Sequence, residues 1–204
     1  MSFRFLIPGP SSRFFPSVRQ FLNHRGLEVA PDERRLYSQE SGIHIHLARG
    51  FDIPRLVGSG WGDLGITGID AVHEANEPRV KILSRLGIRH SQVVVASQEL
   101  EGVEHLRPGD HVFTEYPRLA REYFESRGLQ GLRYTYLSGA AEAFAWHPEV
   151  RCVITLCTSG STIEANSLRI LDVILKTEAC LVAADRAGVL ENEAAKNLID
   201  LLTQ

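Results

Sequence analysis

The sequence predicts an α/β fold with mostly parallel sheets and helices on both faces. Three observations carry that expectation. Short, β-branched apolar runs near residues 3–7, 43–47, 92–96, 150–156 and 179–184 alternate with segments whose apolar residues recur at helical spacing. Several of the runs end in turns rich in Gly, Pro, Ser or Thr, which is where α/β folds change direction and bind ligands. No internal repeat or low-complexity segment breaks the rhythm.

Composition narrows the function classes. With 44% hydrophobic and 23% charged residues among 204, the chain is an ordinary globular protein, long enough for one large domain or two small ones. A formal charge of -3 provides no basic surplus, so nucleic acid is not an expected partner. No apolar run reaches the length of a membrane span. Residues 3–7 are too short for a signal peptide and run into Pro8-Gly9-Pro10. Cys152, Cys157 and Cys180 are odd in number, lack framework spacing and sit in apolar runs. They are expected to be reduced, buried thiols of a cytoplasmic protein.

In chain order, a first strand at 3–7 breaks at Pro8, and Ser11-Ser12 offers a cap for the next element. Phe14, Val18, Phe21 and Leu22 then mark a helix ending at Gly26. His44 and His46 alternate with apolar residues along a strand at 43–47, but no further ligand type stands near them, so a metal role is not favoured. Asp52 is expected to cap a short helix, with Pro54 in its first turn. In the segment 60–70 the glycines allow a strand to approach another backbone or a ligand closely, or serve a tight strand-to-helix turn capped by Asp70. The polar stretch 97–110, with its Arg107-Pro108-Gly109-Asp110 turn signal, reads as a crossing into a second lobe. The expected division is 1–98 plus 178–204 for the first lobe and 99–177 for the second. A closing amphipathic helix over 191–202 places Ala194, Leu198, Ile199 and Leu202 inward. A cleft between two such lobes is the default ligand site.

The most informative stretch is 150–166. Its first half is a buried-strand run, and its second half is Thr158, Ser159, Gly160, Ser161 and Thr162, followed by Ile163, Leu168, Ile170, Leu171 and Ile174 at roughly helical spacing. A strand entering a hydroxyl-rich turn that opens a helix exposes unpaired N–H groups to an anion. The same residues are also ordinary helix caps, and both readings stand on residue type alone. The loop is not a Walker A motif, because no Lys follows the glycine.

Three segments together resemble the ATP phosphoribosyltransferase family of histidine biosynthesis. They are Asp52-Ile53-Pro54 with Gly62-Asp63-Leu64-Gly65-Ile66-Thr67-Gly68-Ile69-Asp70; Thr114-Glu115-Tyr116-Pro117 with Arg121, Tyr123 and Phe124; and Ser138-Gly139-Ala140-Ala141-Glu142 leading to the 158–166 loop. The resemblance implies a two-lobed, periplasmic-binding-protein-like fold and transfer of a phosphoribosyl group from phosphoribosyl pyrophosphate to ATP, with Mg2+ holding the pyrophosphate. The length resembles the family's short form, which works with a histidyl-tRNA-synthetase-like partner, so a homo- or hetero-oligomer is expected.

By the same resemblance, Thr158, Ser159, Gly160, Ser161 and Thr162 are expected to bind phosphoribosyl pyrophosphate, and Glu142 is the expected catalytic residue, contacting ribose or base. An acid at a helix start beside the macrodipole reads the same way. Arg49, Asp63, Thr67 and Tyr116 face the second substrate. The chain also departs from the family pattern. Gly9 and Ser11 stand where two basic residues are usual, Thr155 stands where an acid is usual, and Arg151 replaces another Asp. These departures leave open a different phosphoribosyl acceptor, or binding of a small anion or nucleotide without chemistry.

Overall fold

The computed structural model describes residues 3–29, 35–40 and 42–203. The chain divides into two compact units, one of residues 1–89 and 178–204 and the other of residues 90–177.

In the first unit, β1 (Phe3–Pro8), β2 (Tyr37–Glu40), β3 (Ile43–Ala48), β4 (Leu64–Gly68), β5 (Val80–Arg85) and the final strand, Ala179–Ala184, form one sheet. Strand β1 lies parallel to both β3 and β4, while β2 pairs antiparallel to β3. Helix α1 (Phe15–His24) and the closing helix Glu193–Thr203 bury Phe15, Val18, Leu22, Ala195, Leu198 and Leu202 against one face. On the other face lie α2 (Ile53–Gly58) and α3 (Ile69–Ala75). Gly65 makes this second layer possible, because a Cβ there would meet Ile53 Cγ2 at 2.7 Å and Leu6 O at 3.3 Å.

In the second unit, β6 (Ser91–Ser97), β7 (His111–Thr114), β8 (Arg133–Tyr136), β9 (Val150–Cys157) and β10 (Arg169–Thr177) form a sheet ordered β10-β6-β9-β7-β8. The final strand of the first unit is therefore β11. Helix α4 (Pro117–Ser126) packs Leu119, Ala120, Tyr123 and Phe124 onto one face with Val112, Cys152 and Ile154. The other face carries Ala141 and Ala145 around a 3-10 turn at Ala141–Phe144, together with Ile163 of α5 (Ser161–Ala165). Among the described residues no helix is long and apolar enough to cross a membrane.

Five expectations are corrected. The sheets are mixed rather than mostly parallel: β11 runs antiparallel to β4 and β5, and β6 runs antiparallel to β9 and β10. The apolar spacing after the loop does not continue a helix, since α5 stops at Ala165 and Ser167 takes a positive φ of 52° before β10 begins. Register irregularities between Ile170 and Asp172 and between Val173 and Leu175 break the period-2 pattern of β10, so its apolar residues mimic helical spacing. The first crossing between units falls before β6, at 89/90, and not at 98/99, because β6 is hydrogen-bonded to β9 and β10. Finally, Asp52 makes no side-chain cap bond, and Gly68 rather than Asp70 occupies the cap position of α3.

Candidate functional site

Because β7, β8 and β9 are parallel, Thr114-Glu115, Leu137-Ser138 and Cys157-Thr158 leave the second sheet at the same edge. This is the carboxyl end of those strands, where α/β folds place ligands. The hydroxyl loop starts here. Ser91 Oγ at the opening of β6 and Thr158 Oγ1 lie 2.9 Å apart, which fixes the first loop residue to a neighbouring strand. Gly160 adopts φ 82°, ψ -12° at the cap position of α5, a left-handed conformation that a side chain disfavours. Ser159 and Ser161 pair through their hydroxyls at 2.9 Å, and Ile163 anchors the short helix in the core. Thr158, Ser159, Ser161 and Thr162 are exposed, and a Cβ built on Gly160 would meet no atom within 4 Å. The loop thus presents polar groups around an open space.

Behind the loop, Val153, Thr155 and Cys157 alternate onto the face that carries the 3-10 turn. There Thr155 Oγ1 donates to Glu142 Oε1 at 2.7 Å, and the Glu142 side chain is itself buried. Thr155 Oγ1 also stands 3.5 Å from Glu115 Oε1, at the outer limit of a hydrogen bond. The register explains the approach, since Thr114 is opposite Ile154 and the Glu115 amide donates to Ile154 O. Two carboxylates therefore converge on the position where the resembled family carries an acid. The sequence reading gave Glu115 no role. Its place in the Thr114-Glu115-Tyr116-Pro117 segment was visible, but its proximity to Thr155 depends on strand pairing.

In the first unit, Gly9 N donates to Ala48 O at 2.8 Å, which sets the turn after β1 beside Arg49. Arg49 is exposed and leads into a 3-10 turn at Gly50–Asp52. Thr67, with no exposed surface, donates its hydroxyl to Gly50 O at 2.7 Å and so fixes that turn. Asp63 lies at the opposite, amino end of β4. Its carboxylate accepts from the Arg4 amide at 2.8 Å and from the Arg4 and Arg186 guanidinium groups, so it clamps β1 to the segment after β11. Tyr116 has no exposed surface and fills the core under α4, so its ring does not present a stacking face. Of the four residues expected to face a second substrate, only Arg49 is open to solvent.

Tyr37 Oη and His44 Nδ1 are 2.7 Å apart, and no group of three or more His, Cys, Asp or Glu side chains capable of holding a metal occurs among the described residues. The cysteines are free; burial pushes the thiols of Cys152 and Cys180 up to about 12, which leaves both unreactive.

Comparison with known proteins shows the family and the fold. The family model for ATP phosphoribosyltransferase (HisG) matches residues 49–204. An ATP phosphoribosyltransferase of Methanopyrus kandleri is 34% identical over 182 residues, covering 87% of this chain and 63% of that protein. One from Mesorhizobium japonicum is 33% identical over 202 residues, covering 87% of this chain and 86% of the relative. The chain spans about 63–64% of the length of the relatives from Methanopyrus kandleri, Methanocaldococcus jannaschii and Sulfolobus acidocaldarius. The ATP phosphoribosyl transferase (HisG:HisZ) complex from Thermotoga maritima contains a chain that superposes with a TM-score of 0.84 at 21% identity, covering 98% of this chain and 96% of that one. The alkanesulfonate-binding protein SsuA from Xanthomonas axonopodis pv. citri, bound to MOPS, gives 0.61 at 15% identity, covering 99% and 72%. At these identities the structural likeness is one of fold, and it is periplasmic-binding-protein-like. The matched span of 49–204 holds the Asp52-Ile53-Pro54 segment, the Tyr116-Pro117 helix start and the hydroxyl loop, and by it the chain belongs to the ATP phosphoribosyltransferase family.

Proposed function

We propose that the chain condenses ATP with phosphoribosyl pyrophosphate to give N1-(5-phosphoribosyl)-ATP and pyrophosphate, the first step of histidine biosynthesis. The observation that carries this reading is the open hydroxyl loop at the end of β9, left-handed at Gly160, with the buried Glu142 carboxylate held behind it on Thr155. Family membership supports the same assignment.

In this reading the adenine N1 forms a bond to the ribose anomeric carbon as the bond to pyrophosphate breaks. Positive charge builds on the sugar and negative charge on the leaving group. The backbone N–H groups and hydroxyls of residues 158–162 donate to the 5′-phosphate and hold the ribose, a preorganised set of donors. Glu142 accepts from ribose or base. Arg49 meets the phosphates of the second substrate, and Thr67 keeps the turn after Arg49 in place through Gly50. Asp63 and Tyr116 support the scaffold on which these groups sit.

Mg2+ belongs to the proposal as the ion that neutralises the pyrophosphate. Such an ion is held mainly by substrate oxygens and water. Glu142 and Glu115, which both approach Thr155, could supply a ligand from the protein. A homo- or hetero-oligomer that includes a histidyl-tRNA-synthetase-like regulatory subunit is also proposed, supported by the Thermotoga maritima neighbour, which was solved as a complex. The free cysteines fit the reducing cytoplasm.

The test is pyrophosphate release from ATP and phosphoribosyl pyrophosphate with Mg2+, with and without a regulatory subunit of the family. Turnover that falls at least a hundredfold in Gly160→Val, with the fold retained, supports the assignment. Thr155, standing in the place of an acid, favours one second reading: transfer to an acceptor other than ATP. Calorimetric binding of phosphoribosyl pyrophosphate without turnover on ATP would select it, and no binding at millimolar ligand would reject both.

A further inference from the structure

The first residue of the hydroxyl loop is held by a side chain that lies far outside the loop in sequence. We propose that Ser91 is a positioning residue for phosphate binding: its hydroxyl fixes that of Thr158, and so ties the loop to the strand on which the chain enters the second unit. The proposal rests on the phosphoribosyl reading above and deepens it by naming what keeps the loop in its binding form.

Most side-chain contacts of residues 158–162 stay local. Ser159 and Ser161 bond to each other at 2.9 Å, and Asn166 Nδ2 donates to Thr162 O at 2.8 Å. The far end is held by Ile163 in the core and by Gln98, whose amide donates to Asn166 O at 3.1 Å. At the near end, the 2.9 Å contact between Ser91 Oγ and Thr158 Oγ1 is, among the described residues, the only side-chain hydrogen bond by which residues 158–162 reach another strand. Thr158 is exposed and Ser91 is buried, so the pair spans the boundary between the open loop and the packed sheet. An exposed threonine otherwise samples several χ1 rotamers, and a fixed partner selects one of them. A loop ordered in advance loses less entropy when a ligand arrives.

Ser91 has the rigidity this task needs. It opens β6, which lies between β10 and β9, and it stands opposite Thr177, the last residue of β10. The chain enters the second unit at 89/90 and leaves it at 177/178, so both crossings meet the sheet at this pair. Arg89, two residues earlier, holds a φ of 59°, a left-handed conformation that persists in a residue with a side chain only where the surrounding structure dictates it. Register then brings the partner: Gln92 is opposite Cys157, and the next step along the antiparallel pair sets Ser91 beside Thr158. Thr158 has one hydroxyl proton and two lone pairs, so it can accept from Ser91 and still donate to a phosphate.

Calorimetry with phosphoribosyl pyrophosphate and Mg2+ over a double-mutant cycle separates positioning from general support. Ser91→Ala should weaken binding roughly three- to tenfold, the range for one lost hydrogen bond. In a Thr158→Val background the same change should shift affinity by less than about twofold, because the hydroxyl through which Ser91 acts is gone. Equal losses in both backgrounds would mean that Ser91 supports β6 in general, and would overturn the proposal. Unchanged binding in folded Ser91→Ala would overturn it as well, and either result leaves the phosphoribosyl site standing. A measurement without ligand covers the case in which Thr158→Val binds too weakly to titrate: NMR three-bond couplings of Thr158 should report one χ1 rotamer in wild type and averaging in Ser91→Ala. A single rotamer in both proteins rejects the anchor. If wild type binds no phosphoribosyl pyrophosphate at millimolar ligand, the phosphoribosyl reading fails, and this proposal with it.

Discussion

Thr155 Oγ1 donates a 2.7 Å hydrogen bond to Glu142, joining the strand that feeds the hydroxyl loop to the 3-10 turn packed on its face. Both partners are buried, so removing the acceptor leaves a hydroxyl with only the distant Glu115 oxygen. Glu142→Ala should cost about 1–3 kcal/mol of stability, measured by urea unfolding. Glu142→Gln keeps an acceptor oxygen and should stay within about 1 kcal/mol of wild type. Turnover should nevertheless drop at least tenfold in Glu142→Gln, and full activity there would remove Glu142 from the chemistry.

Gly160 supplies a second test. Its φ of 82° makes any side chain strained, yet the space where a Cβ would stand is open. Gly160→Ala should therefore cost only about 1–2 kcal/mol, from backbone conformation alone. Its effect on phosphoribosyl pyrophosphate binding should be much larger than that cost implies, since the methyl group enters the space before the loop. Equal losses in stability and binding would show that the glycine serves the turn alone.

Asp63 separates an anchor from a ligand. It is 7% exposed and bonded to Arg4 and Arg186. Asp63→Asn should lower the denaturation midpoint by an amount equivalent to about 1–3 kcal/mol, because two arginines lose a charged partner. KM for ATP should change less than twofold. A large rise in KM at unchanged stability would return Asp63 to the substrate-facing set.

Tyr116 is among the largest fully buried side chains. Tyr116→Ala should destabilise by about 3–5 kcal/mol, as expected for a large aromatic lost from a core. If the ring instead stacked on a base, the loss would appear in ligand affinity, with the thermal midpoint nearly unchanged.

His46 gives the chain a predictable pH response. Burial first, then the neighbouring charges of His44 and Arg4, holds its pKa below the usual histidine value. Tyr37 lies against the same ring, 5.1 Å between centroids. The folded state therefore takes up this proton less readily than the unfolded chain. The stability it contributes is present above about pH 6.5 and is lost as pH falls through the lowered value. Urea midpoints measured between about pH 7.5 and pH 5 should fall on acidification, and His46→Gln should reduce that slope. An unchanged slope in the variant would assign the response to other groups.

Much of the molecule was legible as sequence because local rules decided it. The β-branched runs became β1, β3, β6, β9 and β11, and Pro54 and Pro117 lie in the first turns of α2 and α4. Asp63, Thr67 and Tyr116 show where local reading stops. Their polar groups suggest ligand contact in a motif, and only the packed structure shows Asp63 and Thr67 bonded within their own unit and Tyr116 buried in the core of the other. Strand β10 was hidden for a related reason, since its register irregularities erase the alternation by which a strand is recognised.

The sequence by itself determined the α/β rhythm, the position of the hydroxyl loop and the resemblance to one enzyme family, because each rests on residues close together along the chain. The tertiary structure alone decided that Glu115 and Glu142, separated in sequence, meet at Thr155, and that the sheets are mixed. Strand pairing and register set those relationships, and pairing depends on residues far apart in the chain, whose packing no local pattern encodes.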